Sequence, residues 1–149
     1  KAMVDIAIYM KNELAKLGIE AAVEPVEAGA HKVLLLKGDF EATAFRDGSP
    51  GWDPDVIFGE YFVTGAGKNY GQWSDPKVDE LFTRQSQSLD PAERRKLVSE
   101  MEKQALEGVP RVVLFWWSAF VVHWPQVRGY VMAGTVQHNQ KFQDVWLAQ

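Results

Sequence analysis

The sequence predicts an α/β domain in which helices and strands alternate along the chain. Three observations support this class: an amphipathic helical stripe at the start, three Asp-Pro pairs that begin helices, and several short β-rich runs between and after them. The chain has 149 residues, of which 46% are hydrophobic and 24% are charged. That size and composition fit a single globular domain over residues 1–149.

The first quarter of the chain predicts one helix followed by strand-like segments. Apolar residues recur at three- and four-residue steps up to Leu17, and Gly18 is the expected C-terminal stop. Residues 19–26 alternate as a strand would, residues 28–38 fit either a short helix or a strand, and residues 41–45 fit a buried strand. Because the chain opens inside a helix with no cap before it, we expect a piece of a larger protein.

Three Asp-Pro pairs predict three further helix starts, at Asp53, Asp75 and Asp90. Aspartate accepts hydrogen bonds from the free amides of a first helical turn, and proline is tolerated at the first helical position because its missing donor would be unpaired. The last of these helices should end at Gly108, and residues 63–73 form a Gly-rich loop. The apolar faces predicted for the second and third of these helices comprise Val78, Leu81, Phe82, Leu97, Val98, Met101 and Ala105.

The last quarter of the chain is rich in β-forming residues. Residues 112–117 and 119–123 predict two strands, and residues 127–132 predict a third, short one after Pro125. A final segment at 141–147 carries a few apolar residues. These runs, together with the earlier ones, predict a sheet layered with helices.

Composition excludes several classes of partner and chemistry. The formal net charge is −4, with no basic block, so we expect no nucleic-acid partner. The chain has no cysteine, which excludes disulfides, thiolate zinc sites and thiol nucleophiles. Its longest apolar stretch, residues 112–122, is far shorter than the roughly 20 residues of a membrane-spanning helix.

No arrangement typical of catalysis or metal binding is found in the sequence. Residues 65–68 resemble the end of a phosphate-binding loop, but the earlier glycine and the following Ser or Thr are missing. The three histidines have no partner at metal-ligand spacing. Asp53 and Asp55 could form a carboxylate pair for acid/base chemistry, but helix capping explains Asp53 without catalysis. We therefore predict no catalytic residue, no metal and no cofactor.

The most unusual feature is the aromatic content of 12%, with six tryptophans. Trp52 and Trp73 each lie in a turn beside a predicted helix start, where α/β folds place ligands. Arg46 and Asp47 open the same loop as Trp52, and could pair an anionic and a cationic group respectively. Arg46, Asp47, Trp52 and Trp73 are therefore the predicted ligand-binding residues.

Several segments also carry a family resemblance. Residues 69–79 fit the pattern Asn-x-x-x-aromatic-x-Asp-Pro-x-x-Asp, and residues 90–94 fit Asp-x-x-Glu-Arg. Together with the 53–55 Asp-Pro-Asp loop before them and residues 127–130 after them, this order resembles the C-terminal lobe of the family 5 extracellular solute-binding proteins. That family comprises the dipeptide-, oligopeptide- and nickel-binding subunits of ABC importers.

The resemblance implies one lobe of a type II periplasmic-binding-protein fold, with a mixed sheet flanked by helices. It implies a periplasmic protein, or one tethered outside the cell, that is not an enzyme. Such a protein captures a peptide or peptide-like solute between two lobes and delivers it to the membrane subunits of an ABC permease. Family peptide binders hold the peptide amino terminus with an aspartate just upstream of the Asp-Pro pair. This chain has Pro50 near that place, and its nearest acid is Asp47.

Two other classes of function stay open at this point. A small α/β enzyme would bring Asp47, Asp53 and His123 together, and it would show turnover. A protein–protein interaction module would use exposed aromatic side chains as interface anchors, and it would form a stable complex without a small ligand.

Overall fold

The computed structural model describes residues 2–46, 48, 51, 53–115, 120–132 and 142–148. Within these ranges the chain forms helices and one small antiparallel sheet. The helices are α1 (Ala2–Lys16), α2 (Ala28–Lys37), α3 (Pro54–Tyr61), α4 (Pro76–Gln87) and α5 (Pro91–Gly108). The two strands are β1 (Val127–Arg128) and β2 (Trp146–Leu147), with Arg128 opposite Trp146.

The three predicted Asp-Pro helix starts are confirmed. The Asp53 carboxylate accepts a hydrogen bond from the Asp55 amide at 2.9 Å, and Asp75 accepts one from the Lys77 amide at 2.8 Å. Asp90 caps α5 in the same way, and each aspartate precedes a proline in the first turn. These helices begin where they do because the cap supplies an acceptor that the first turn lacks.

The core lies between α4 and α5 and is extended by α3. Its fully buried side chains include Val78 and Leu81 of α4 and Met101 of α5. Phe58 of α3 closes one side of this core, and Trp73, in the loop before α4, packs against the same core. The apolar stripes predicted for α4 and α5 are thus confirmed as one shared core.

The segment at 28–38, which fits a helix or a strand, is a helix. The Glu27 carboxylate accepts a hydrogen bond from the Gly29 amide at 2.7 Å and so caps α2. Gly38 ends α2 in the left-handed conformation, with φ of 68°. A residue with a Cβ would be strained there, and the two cap signals decide for the helix.

Several predicted strands lack strand pairing in the described residues. Residues 19–26, 41–45 and 112–115 have no assigned helix or strand, and residues 127–132 contribute only β1. A helix bonds its backbone internally, whereas a strand exists only beside a partner strand. The described ranges supply one such pairing, between β1 and β2.

None of the helices in the described part of the chain combines the length and the apolar character needed to cross a membrane.

Candidate ligand-binding site

Two of the four predicted ligand-binding residues can be placed. Arg46 is exposed and directly follows Phe45. Trp73 is half-buried, and its ring lies against Gly108 at the end of α5: a Cβ on that glycine would come within 2.7 Å of the ring. Asp47 and Trp52 lie outside the described residues. A ligand role for each of the four stays a prediction.

Beside Arg46 the structure brings together aromatic rings and cations from distant parts of the chain. Phe45 meets Tyr70 edge to face, with ring centroids 5.7 Å apart. The Arg111 guanidinium lies 5.8 Å from the Phe45 centroid and 5.0 Å from that of Tyr61. We call Phe45, Tyr61, Tyr70 and the three cations on them, Lys32, Lys68 and Arg111, the cation–aromatic cluster.

Arg111 enters this cluster just after α5. It also stacks on Phe62, with its guanidinium carbon 5.1 Å from that ring centroid. Its guanidinium donates to the Lys68 carbonyl at 3.3 Å and to the Tyr61 carbonyl at 3.5 Å. A guanidinium on aromatic faces is held by the ring quadrupoles, so Arg111 ties the end of α5 to the end of α3.

Lys68 and Tyr61 are linked by hydrogen bonds to each other and to neighbouring residues at one edge of the cluster. Lys68 Nζ donates to Glu60 at 2.6 Å and to the Tyr61 hydroxyl at 3.2 Å. The Tyr61 hydroxyl in turn donates to the Gly48 carbonyl at 3.0 Å. The bond to Glu60, followed by that to Tyr61, raises the pKa of Lys68 above its ordinary value. Lys68 is therefore charged and neutralised by Glu60.

A polar junction joins the starts of α3 and α5 to the end of α4. Arg94 donates two hydrogen bonds to the Asp53 carboxylate, at 2.6 and 3.1 Å, and its Nε donates to the fully buried Gln85 at 3.1 Å. Gln85 and Ser86 both donate to Asp55. The bidentate pair fixes Arg94 in one geometry, so this junction sets how α3 sits on the helical layer.

Asp53 should make the stability of the protein depend on pH. The hydrogen bond from Arg94, followed by that from the Asp55 amide, holds the pKa of Asp53 below its ordinary value of 3.8. A carboxyl whose pKa is lowered by folding stabilises the protein above about pH 5 and loses this contribution as pH falls through the folded-state pKa. The stability advantage of wild type over Asp53→Asn should therefore be largest at neutral pH and shrink below pH 3.8.

Urea unfolding of both proteins between pH 2.5 and 7 checks this, since asparagine preserves the cap. Asp39→Asn is the control, because Asp39 is exposed and no ion pair of its carboxylate is recorded for the described residues. An advantage that is equal at all pH values contradicts the expected role of Asp53.

The 62–74 loop is fixed by Asn69, as its place in the sequence suggests. The buried Asn69 amide donates to the Trp73 carbonyl at 2.7 Å and to the Val63 carbonyl at 3.2 Å. Its side-chain oxygen accepts from the Trp73 amide at 3.2 Å. Asn69 therefore closes the loop and positions Trp73.

Of the alternative catalytic set, Asp53 and His123 lie in the described residues and Asp47 lies outside them. The Asp53 carboxylate is engaged by the α3 cap and by Arg94, and His123 Nδ1 lies 3.1 Å from the Trp124 carbonyl. In the part of the chain that the structure describes, no three His, Asp or Glu side chains come close enough to hold a metal ion.

Sequence analysis missed the cations of the cluster. Lys32, Lys68 and Arg111 come from a helix, a loop and a post-helix segment, and no local pattern marks them. Lys32 contacts a residue 38 positions away, and Arg111 contacts one 50 positions away. Tertiary contacts bring them together: Lys32 of α2 meets the loop at Tyr70, and Arg111 meets the end of α3 at Tyr61.

The fold is similar to that of an ABC transporter substrate-binding protein. The similarity is to CtaP of Listeria monocytogenes, with a TM-score of 0.60 over 69% of this chain and 21% of that protein, at 18% sequence identity. At that identity the comparison concerns the fold alone.

Two peptide-binding proteins of Pseudomonas aeruginosa are similar in sequence. Di/tripeptide-binding protein 4 is 26% identical over 136 residues, which are 89% of this chain and 26% of that protein. Di/tripeptide-binding protein 1 is 26% identical over 107 residues, which are 70% of this chain and 20% of that protein. The chain thus spans 26% of the first relative and 20% of the second, and no family model matches it. The resemblance to solute-binding proteins inferred from the sequence is confirmed by these similarities in sequence and fold.

Proposed function

We propose that the chain is a ligand-binding lobe of the substrate-binding component of an ABC importer. The lobe captures a peptide or peptide-like solute in a cleft between two lobes, and the complete protein delivers it to the membrane permease subunits. It works in the periplasm, or tethered outside the cell, and it makes and breaks no covalent bond.

The observation that carries this proposal is the similarity to a di/tripeptide-binding protein over 89% of the chain. The site fits the same role. A cleft for a small zwitterion needs a few charged groups and flat apolar walls, and the cation–aromatic cluster supplies both beside Arg46. Arg46 and Asp47 are proposed to bind the charged groups of the solute, and Trp52 and Trp73 to form its apolar walls.

We also propose the architecture of the lobe. Residues 1–149 form one C-terminal lobe of a type II periplasmic-binding-protein fold. The segments at 19–26 and 112–115, which the sequence predicts as strands, belong to a mixed sheet that is completed in the whole protein. The large exposed side chains Val112, Val113 and Phe115 support this, because such apolar surface is stable when another layer covers it.

Isothermal titration of the complete protein with L-alanyl-L-alanine and with trialanine tests the function. We expect at least one of the two peptides to bind, and Asp47→Ala to weaken its binding about tenfold or more, because a charge-assisted contact to the peptide amino group is lost. Asp39→Ala is the matched control, since it removes another exposed aspartate that lies outside the predicted site.

The other classes of function predict different outcomes. If no peptide binds and the protein turns over a substrate, the enzyme class is correct. If no peptide binds and a stable protein complex forms without ligand, the interaction module is correct. Equal peptide affinity in Asp47→Ala and wild type would leave the receptor function standing but remove Asp47 from the site.

A further inference from the structure

Lys32 and Tyr70 meet at the edge of the cation–aromatic cluster nearest to α2. Lys32 Nζ donates to the Tyr70 hydroxyl at 2.7 Å and lies 4.9 Å from its ring centroid. Lys32 is exposed, whereas Tyr70 is buried and held edge-on by Phe45. The lysine head is thus fixed at the surface by a rigid ring.

Within the described part of the chain, the Lys32–Tyr70 pair has more hydrogen-bond donors than acceptors. The ammonium has three N–H groups and uses one of them on Tyr70. Because the Tyr70 oxygen accepts that bond, its own O–H is also left to donate. Across the ranges that the structure describes, no carboxylate forms an ion pair with Lys32.

The same chain contains a second lysine–tyrosine pair, Lys68 and Tyr61, in which both side chains have further acceptors. Lys68 also donates to a tyrosine hydroxyl, that of Tyr61, but it is neutralised by Glu60 at 2.6 Å. The Tyr61 hydroxyl also has an acceptor, the Gly48 carbonyl at 3.0 Å. The Lys32–Tyr70 pair differs from it in having no negatively charged oxygen acceptor among the described residues.

We propose that Lys32 and Tyr70 form a subsite for a carboxylate group of the captured solute. This inference rests on the proposed function and deepens it, because it adds two donors, on Lys32 and Tyr70, to the carboxylate recognition proposed for Arg46. Each of the two groups can donate a hydrogen bond to a carboxylate oxygen, and the ammonium makes its bond charge-assisted. Phe45, which packs on Tyr70, joins the subsite to Arg46 through the backbone.

Titration of the complete protein with L-alanyl-L-alanine and with its C-terminal amide tests the subsite. Wild type should bind the amide about tenfold more weakly or worse, because the amide lacks the carboxylate charge. Lys32→Met should lower this preference by about threefold or more, because one charged donor to the carboxylate is lost while Arg46 is kept, and Tyr70→Phe should lower it to a smaller extent.

Lys37→Met is the matched control, because Lys37 is an exposed lysine on the same helix and no hydrogen bond or ion pair of its side chain is recorded in the described ranges. It should keep the wild-type preference. If Lys32→Met also keeps the wild-type preference for the carboxylate, the subsite assignment is wrong while the peptide-binding function stands.

A second arm separates the subsite from the peptide-binding function. NMR of ring-labelled tyrosine follows Tyr70 during titration with acetate. The Tyr70 resonance is identified by its loss in Tyr70→Phe. Titration with chloride at equal ionic strength is the control. A saturable shift with acetate that disappears in Lys32→Met supports the subsite even if dialanine does not bind, and in that case only the peptide function fails. A Tyr70 resonance that responds to neither acetate nor dialanine overturns the subsite.

Discussion

Replacing Leu81 by alanine is expected to lower the free energy of unfolding by about 2–5 kcal/mol. Leu81 is 0% exposed and lies in the cluster that joins α4 to α5 and Phe58. The substitution removes buried apolar atoms and leaves a cavity, because the two helices are held at fixed spacing by their other core contacts. Urea unfolding followed by far-ultraviolet circular dichroism measures the loss.

Leu106→Ala is the matched control for this prediction. Leu106 is also a helical leucine, but it is 67% exposed at the end of α5. Its replacement should change the free energy of unfolding by no more than about 0.5 kcal/mol. If Leu81→Ala lowered the free energy of unfolding as little as Leu106→Ala does, α4 and α5 would not share the core described above.

The second large effect is expected from Asn69→Ala. Asn69 is 8% exposed and bonds three backbone groups of the 62–74 loop, two of them on Trp73. Alanine leaves those groups without their partner, and we expect a loss of about 2–4 kcal/mol in the free energy of unfolding. Asn69→Asp should be at least as damaging, because it places an oxygen where the amide donates to two carbonyls.

Chemical unfolding of these variants beside Asn12→Ala checks the prediction. Asn12 is exposed on α1, so its replacement should have an effect within about 0.5 kcal/mol. If Asn69→Ala were as mild as Asn12→Ala, the loop would be held by other contacts. The position of Trp73 would then not depend on Asn69.

Helices α1, α3, α4 and α5 follow from local chemistry and could be predicted from the sequence, whereas residues 28–38 fitted either a helix or a strand. An aspartate cap satisfies amides two or three residues away, and Gly38 ends α2 through bonds to the turn just before it. The buried stripes of α4 and α5 follow from the helical period. Capping also explained Asp53 correctly, although its bond to Arg94, 41 residues away, was not predictable.

The strands and the candidate site could be predicted much less well. Strand-forming composition at 19–26 does not name a partner strand, and without one no ladder forms. Arg46 was chosen because it lies in a loop after an apolar run, and the structure puts the cation–aromatic cluster beside it. Lys32 looked like any exposed helical lysine, and nothing near it in sequence indicates Tyr70.

The sequence by itself determined where α3, α4 and α5 begin, which faces of α4 and α5 are buried, and the resemblance to solute-binding proteins. These properties depend on contacts within about four residues, or on motifs that are contiguous in the chain. Only the tertiary structure decided which charged groups meet. It paired Lys68 with Glu60 and Lys32 with Tyr70, and side chains 38 residues apart become neighbours only when α2 and the loop that carries Tyr70 pack together.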